Sequence, residues 1–156
     1  MERIAQCIAD HRGNWLESSM SRMAGQFAGI LRVAVPADHY EALVQGLEGL
    51  TSHGIRVLIA QSGADAASSS KPIAMELVGN DRPGIVRDIT RLLAELKVNV
   101  ERFTTEVRPA PMSSEPLFHA NALLALPLDV PLDALQQRLE SLADALMVEL
   151  ELRAQD

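Results

Sequence analysis

The chain has 156 residues, of which 47% are hydrophobic, 22% are charged and 3% are aromatic. This balance is typical of a globular protein with one domain of average size or two small ones. The formal net charge is −7 and no run of Lys or Arg occurs. Direct binding of nucleic acid is therefore disfavoured, because a polyanion needs a basic face.

The composition also predicts a reducing compartment. Cys7 is the only cysteine, so no disulfide can form within the chain. Its expected role is that of a small core residue on an apolar helix face. No stretch approaches the roughly 20 apolar residues of a membrane-spanning helix, and residues 1–4 do not lead into a signal-peptide core. We therefore expect a soluble cytoplasmic protein.

The first predicted elements are a helix and a β-hairpin. Residues 2–11 carry apolar side chains at helical spacing, and Gly13 follows as the expected helix stop. Residues 15–22 and 27–35 form a pair of predicted strands around a turn at 24–25.

A second helix, a strand and a linker follow. Residues 38–52 have apolar side chains at helical spacing, with Gly54 as the stop. The alternating apolar residues of 55–59 predict a strand. Residues 63–71 are rich in Ala, Ser and Gly without an apolar period, so we predict a linker there, with a long surface loop as the alternative.

The same kinds of element return after the linker. Alternating apolar residues predict strands, and apolar residues three and four apart predict helices. The prediction is a strand at 73–77, a turn at 80–84, a helix at 85–96, strands at 98–108 and 117–126, a helix at 132–142 and a strand at 148–152. The order is βαββαβ after the linker and αββαβ before it.

The two halves repeat one pattern. Asn14 matches Asn99 at a shift of 85 residues, and Leu43 matches Leu135 at a shift of 92 residues. The strand that begins at Ile73, and the turn that follows it, have no counterpart in the first half.

The sequence therefore predicts an α+β protein of two ferredoxin-like units. Residues 1–62 form the first unit, which lacks its opening strand, and residues 72–154 form a complete second unit, with the linker at 63–71 between them. A complete unit should be a four-stranded antiparallel sheet with both helices on one face and right-handed crossovers. Because bare strand edges tend to be covered or paired, a neighbouring chain is one possible cover for the open place in the first sheet. The missing strand is equally explained by a truncated gene model or a shortened chain, and the sequence leaves these alternatives open.

The most informative segment is Asn80-Asp81-Arg82-Pro83-Gly84, between a predicted strand and a predicted helix. Pro83 suits a first helical turn, and Gly84 permits close approach of a ligand or another backbone. Asp81 or Asn80 can cap the helix. The remaining amides and the helix dipole favour an anion such as a carboxylate. The alternative is a tight turn with an ordinary helix cap.

This order of elements resembles the ACT domain, a family of amino-acid-sensing modules. It consists of a strand, then Asp-Arg-Pro-Gly, then an apolar helix, and then Asn99 before the next strand. The second half fits this pattern throughout, and the first half fits from its first helix onward. Residues 11–22 and 24–27 also resemble the glycine cleavage system transcriptional repressor family. They resemble as well the N-terminal modules of phosphoserine phosphatase and formyltetrahydrofolate deformylase.

The resemblance implies that a small amino acid, of the glycine or serine class, binds where the strand-to-helix turn of one module meets another module. The implied ligand-binding positions are Asn80, Asp81, Arg82, Gly84, Asn99 and, as the counterpart of Asn99, Asn14. Because the turn that should face Asn14 is absent, the first site is expected to be incomplete. The implied protein partner is a DNA-binding regulator, and we expect a homo-oligomer because small domains with such cores need docking.

Two other functions stay open at this stage. One is a pure assembly module that completes its first sheet by strand exchange. The other is an enzyme on the same scaffold, which is disfavoured because no paired acid and base, nucleophile or metal-ligand cluster stands out. The histidines show no metal-ligand spacing: His11, His39, His53 and His119. We expect no catalytic residue, metal, cofactor or membrane association.

Overall fold

The computed structural model describes residues 1–61, 70–113 and 115–155. The chain divides into two compact units, Met1–Asp65 and Ala66–Asp156, called here the first and the second unit. Each unit is an assembly of α-helices and antiparallel strands. The predicted α+β class with ferredoxin-like units is confirmed.

The first unit contains two helices and one hairpin. Its elements are α1 (Glu2–Asp10), β1 (Asn14–Met23), β2 (Gln26–Ala34) and α2 (Tyr40–Glu48), and short 3-10 turns at Ala37–His39 and Gly49–His53 flank α2. The hairpin turns through Ala24 and Gly25, which have φ angles of 50° and 80°. Two successive left-handed residues match the right-handed twist of the strands, so the predicted hairpin forms.

The end of α1 differs from the prediction in one detail. The left-handed residue is Arg12, with φ 60°, and not Gly13. Gly13 instead allows the backbone to lie close to Ile8, since a Cβ at this position would be 2.7 Å from Cγ2 of Ile8. The helix ends because the amides of Arg12 and Gly13 donate to the carbonyls of Ala9 and Ile8.

The predicted strand at 55–59 does not join a sheet. Residues 55–60 form no β-ladder, although Ile55, Val57 and Ile59 are half-buried and alternate with exposed residues. In this fold the last strand pairs only with the opening strand, as the second unit demonstrates. The described residues of the first unit include no such strand, so residues 55–60 lack the neighbour that would turn an extended segment into sheet.

The second unit contains a complete βαββαβ sequence of elements. They are β3 (Ser70–Asn80), α3 (Ile85–Glu95), β4 (Asn99–Pro109), β5 (Pro116–Pro127), α4 (Leu132–Leu146) and β6 (Val148–Ala154). The sheet order is β4-β5-β3-β6, and all neighbours are antiparallel. The opening strand β3 is therefore central, with a partner on each side.

The core of the second unit lies between the sheet and its two helices. The buried side chains of β3 alternate, and those of the helices recur every three or four residues, so each element contributes one apolar face. The largest fully buried side chains are Ile73, Met75, Leu77, Ile85, Ile89, Leu93, Leu124, Leu126, Leu135 and Leu139. This well-filled core holds the turn between β3 and α3 in place.

The boundary of the predicted linker needs a correction. Ser70 and Lys71 belong to β3, because they pair with Pro127 and Leu126 of β5. Residues 63–69 of the prediction lie outside the described residues. Among the described residues, no helix is both long and apolar enough to cross a membrane.

Candidate functional site

The turn between β3 and α3 is fixed at both ends by backbone structure. Asn80 is the last residue of β3, and Gly84 precedes α3 with a φ of 92°. The amide of Asp81 donates to the carbonyl of Pro116, at 3.1 Å, which ties the turn to the start of β5. A left-handed φ of this size favours glycine, so the residue type at 84 follows from the backbone path.

The first turn of α3 presents backbone amides instead of a side-chain cap. The helix begins at Ile85, and no side chain in the described part of the chain caps it. The predicted cap by Asp81 or Asn80 is therefore wrong, and Pro83 precedes the helix instead of opening it. Because the first amides of a helix have no carbonyl partner within it, they remain available to an anion.

Arg87 adds a cation to this turn, although it was not among the predicted ligand-binding residues. A Cβ built on Gly84 would lie 3.1 Å from Nη2 of Arg87, so the guanidinium covers the glycine. Its Nε lies 3.2 Å from Oδ1 of Asp88. A guanidinium beside free amides suits a carboxylate. The sequence could have indicated this contact, because Arg87 follows Gly84 by three residues, about one helical turn.

Asn99 does not lie beside this turn within the second unit. Asn80 pairs with Leu117 of β5, whereas Asn99 pairs with Ala125. The eight residues between those two partners correspond to roughly 26 Å along a strand. The side-chain amide of Asn99 donates to Oε1 of Glu101, at 2.8 Å. Asn99 and the turn therefore mark opposite ends of one sheet.

Asn14 and Asn99 occupy equivalent places in the two units. Each begins the strand that follows the first helix of its unit, and each is exposed. Each follows a left-handed basic residue two positions earlier, Arg12 with φ 60° and Lys97 with φ 59°. The turn residues Asn80, Asp81 and Arg82 are also exposed.

The repeated structure has a counterpart among known families. Residues 1–60 match the sequence model of the ACT domain. The first unit is therefore similar to an ACT domain. No curated protein gives a significant match to the chain.

Solved structures with similar folds extend over nearly the whole chain. An unknown protein from Galdieria sulphuraria matches with a TM-score of 0.80 and 21% identity, covering 99% of this chain and 90% of that protein. A candidate glycine cleavage system transcriptional repressor matches with a TM-score of 0.72 and 14% identity, covering 99% and 88%. At such identities the likeness establishes the shared fold.

A second concave surface lies on the helix-free face of the second sheet. It encloses about 330 Å³ and is lined mainly by side chains that point away from the helices, including Glu76, Arg102, Asn121, Glu151 and Arg153. The hydrogen bond to Glu151 raises the pKa of Arg153. The turn residues are absent from its lining, and the charges of both signs are typical of a solvated sheet face.

A groove of about 460 Å³ follows α1 of the first unit, lined in part by Cys7, Asp10 and His11. Nδ1 of His11 donates to the carbonyl of Cys7, at 2.7 Å, and lies 3.9 Å from its Sγ. Cys7 is half-buried, so its expected place in the core is only partly realised. It packs on Gly46, where a Cβ would lie 2.9 Å from Sγ. Gly46 thus permits close packing of α1 on α2.

Cys7 is expected to react slowly with alkylating agents. Burial, and then the negative charge of Asp10, raise the pKa of the thiol above its ordinary value of 9.0. The reactive thiolate is therefore scarce at neutral pH in the folded chain. Iodoacetamide labelling should be slower than in the urea-unfolded chain, and its rate should still be rising above pH 9. A rate that levels off below pH 8 would contradict this account.

No metal centre accompanies these features. Within residues 1–61, 70–113 and 115–155, no group of three or more His, Cys, Asp or Glu side chains is placed to hold a metal ion. The groups that the turn itself presents are backbone amides and a guanidinium.

Proposed function

We propose that this protein is a regulator that senses a small amino acid, of the glycine or serine class, and acts through contact with another protein. The observation that supports the proposal is the turn Asn80–Gly84, with uncapped amides at the start of α3 and the guanidinium of Arg87 over Gly84. Such a turn offers a carboxylate both hydrogen-bond donors and positive charge. The match of residues 1–60 to the ACT domain model and the fold shared with a candidate glycine cleavage repressor support the same assignment.

The asparagines supply the second half of the proposed site. Within one unit Asn99 lies far from the turn, so it reaches a bound amino acid only from another module. Asn14 is the equivalent donor on the first unit. A side-chain amide in this role donates to the ligand carboxylate and accepts from its ammonium group. The proposed ligand therefore links two modules, and it shifts the assembly by binding one arrangement better than another.

The proposed output is contact with a DNA-binding regulator. A net charge of −7 and the absence of a Lys or Arg run make this chain a poor ligand for DNA itself. Control of transcription by such a chain therefore needs an intermediary protein. The proposed role involves binding alone, without a catalytic step or a cofactor.

Isothermal titration of the full chain with a panel of amino acids tests the sensing function. We expect binding of glycine or serine, and we expect Gly84→Val to weaken it at least about tenfold, because the side chain would meet Arg87 and strain the left-handed backbone. Asn99→Ala should weaken binding as well, despite its distance from the turn. Gly49→Ala is the matched control, since a Cβ there meets open space. A folded chain that binds no amino acid would refute sensing.

The second candidate function is assembly without sensing. It is favoured by one observation, the two-stranded sheet of the first unit with its unpaired segment at 55–60. Light scattering separates the candidates, because a stable monomer that binds an amino acid excludes a purely assembling role. A permanent dimer that binds none of the panel would favour it.

A further inference from the structure

On the helix-free face of the second sheet, side chains stand in rows across the strands, because partners in antiparallel strands lie opposite one another. Two neighbouring rows line the cavity of about 330 Å³ on this face. In the strand order β6, β3, β5 and β4, one row consists of Arg153, Ala74, Leu123 and Arg102, and the next of Glu151, Glu76, Asn121 and Thr104. The first row has an arginine at each end, and the second has two carboxylates. One concave surface thus presents both signs of charge.

The charges on β6 offset one another. Nε and Nη2 of Arg153 donate to Oε1 of Glu151, at 2.9 and 2.6 Å. The two residues are two positions apart on one strand, so their side chains lie on the same face of the sheet. This pair therefore contributes no net charge to the cavity.

Arg102 and Glu76 remain as the uncompensated charges of the cavity. Both are exposed, and within residues 1–61, 70–113 and 115–155 neither makes an ion pair or a side-chain hydrogen bond. Glu76 acts on Arg153 only through its charge, which helps to raise the pKa of that guanidinium. Water solvates such groups in the chain alone. A molecule with one negative and one positive group can pair with both side chains at once.

The distance between these two residues limits the length of such a molecule. They lie two strands apart and two residues apart along the strand direction, which places their Cα atoms about 12 Å from each other. Because side chains stand roughly perpendicular to a sheet, the charged groups keep a similar separation. A hydrogen bond of about 2.9 Å at each end then leaves roughly 6 Å between the two charged groups of the molecule.

We propose that this concave face binds a dipeptide, with the terminal carboxylate on Arg102 and the ammonium group on Glu76. Two extended residues span roughly 7 Å, which matches the space between the two side chains. An α-amino acid carries both charged groups on one carbon, so it cannot reach both side chains. Asn121 lies between them on β5, and its side-chain amide can donate to and accept from the peptide bond of the ligand.

The floor and the size of the cavity suit the same ligand. Ala74 and Leu123 are half-buried on this face, so they offer an apolar surface to the small side chains of a dipeptide. A volume of about 330 Å³ lies within the range of pockets that hold small molecules. The turn between β3 and α3 takes no part, because its residues do not line the cavity. Failure of amino-acid sensing at the turn would therefore leave this site unaffected.

Nuclear magnetic resonance of the full chain, titrated with alanylalanine, tests the proposal. We expect saturable shifts of the backbone amides at 74–76, 102–104 and 121–123. N-acetyl-alanylalanine amide has the same peptide backbone without either charge, and it should cause no such shifts. Glycine and serine should not displace alanylalanine, which separates this site from one that binds a single amino acid.

Matched variants test the two charges. Arg102→Gln and Glu76→Gln should each weaken binding of alanylalanine at least about fivefold, the scale of one partly exposed charge-assisted hydrogen bond. Arg108→Gln and Glu149→Gln are the controls, because both residues lie on the same face of the sheet but outside the cavity. These controls should bind as the parent chain does.

Exchange of the two charges gives a further test. Each single reversal, Arg102→Glu or Glu76→Arg, should abolish binding, whereas the double variant should recover it in part, since the dipeptide can bind in the opposite direction. A folded chain whose amides do not respond to alanylalanine would overturn the proposal. Equal binding of the uncharged peptide, or equal weakening by the control variants, would overturn it as well. The same amide shifts on doubling of the mass without peptide would assign the face to a second copy and also overturn it.

Discussion

Leu135→Ala should lower the free energy of unfolding of the second unit by about 2–5 kcal/mol, the usual cost of removing a buried leucine. Leu135 is fully buried where α4 packs on the sheet, and its neighbours belong to a continuous core. A core that is filled on all sides cannot collapse into the space that the side chain leaves. Urea denaturation, followed by far-ultraviolet circular dichroism, measures the change in the free energy of unfolding.

The repeat supplies the control for this substitution. Leu43 is the equivalent residue of α2 and is almost as buried. Its surroundings in the first unit are sparse, so they can adjust, and Leu43→Ala should cost clearly less than Leu135→Ala. Equal losses for the two variants would show that the first unit has a core as well packed as the second.

Gly79→Val should disrupt the pairing of β3 with β6 and destabilise the second unit by about 1–3 kcal/mol or more, the range for overpacking. Gly79 is buried and pairs with Val148. A Cβ at this position would lie 2.2 Å from Cγ1 and 2.8 Å from Cβ of Val148, so one strand has to move. Thermal unfolding of the variant measures the loss. Because Gly79 directly precedes the turn at Asn80, amino-acid binding should weaken with it.

A second substitution distinguishes this clash from a general loss of flexibility. Val148→Ala removes the Cγ1 atom that an added side chain would meet, so it should recover part of the stability lost in Gly79→Val. The coupling is read from a double-mutant cycle, and additive effects of the two substitutions would contradict the steric explanation.

Most of the second unit could be predicted from its sequence. Ile73, Met75 and Leu77 alternate because one face of β3 is buried, and Leu135 and Leu139 recur because one face of α4 is buried. In such elements the local sequence pattern and the tertiary contacts favour the same side chains. The order of elements then selects the sheet topology, since the crossovers have one preferred hand.

The last strand of the first unit could not be predicted in the same way. Residues 55–59 have the alternation of a strand, and their half-buried inward faces agree with it. A β-ladder also needs a neighbouring chain segment, and alternation does not encode whether one is present. The alternation therefore indicates that the segment can pair as a strand, but among the described residues it has no strand partner.

The candidate site was predicted in part. The turn at Asn80–Gly84 follows from Gly84 and its place between a strand and a helix. The distance between that turn and Asn99 was not apparent, because a helix intervenes and carries the chain to the other end of the sheet. Arg87 was missed because its contact with Gly84 depends on the rotamer of a long, exposed side chain.

The open edge at β2 also bears on how long the protein survives. Weakly closed segments are the first to open, and open strand edges are where proteases cut and chains aggregate. The second unit, with its filled core and its four paired strands, should resist a protease for longer than the first unit.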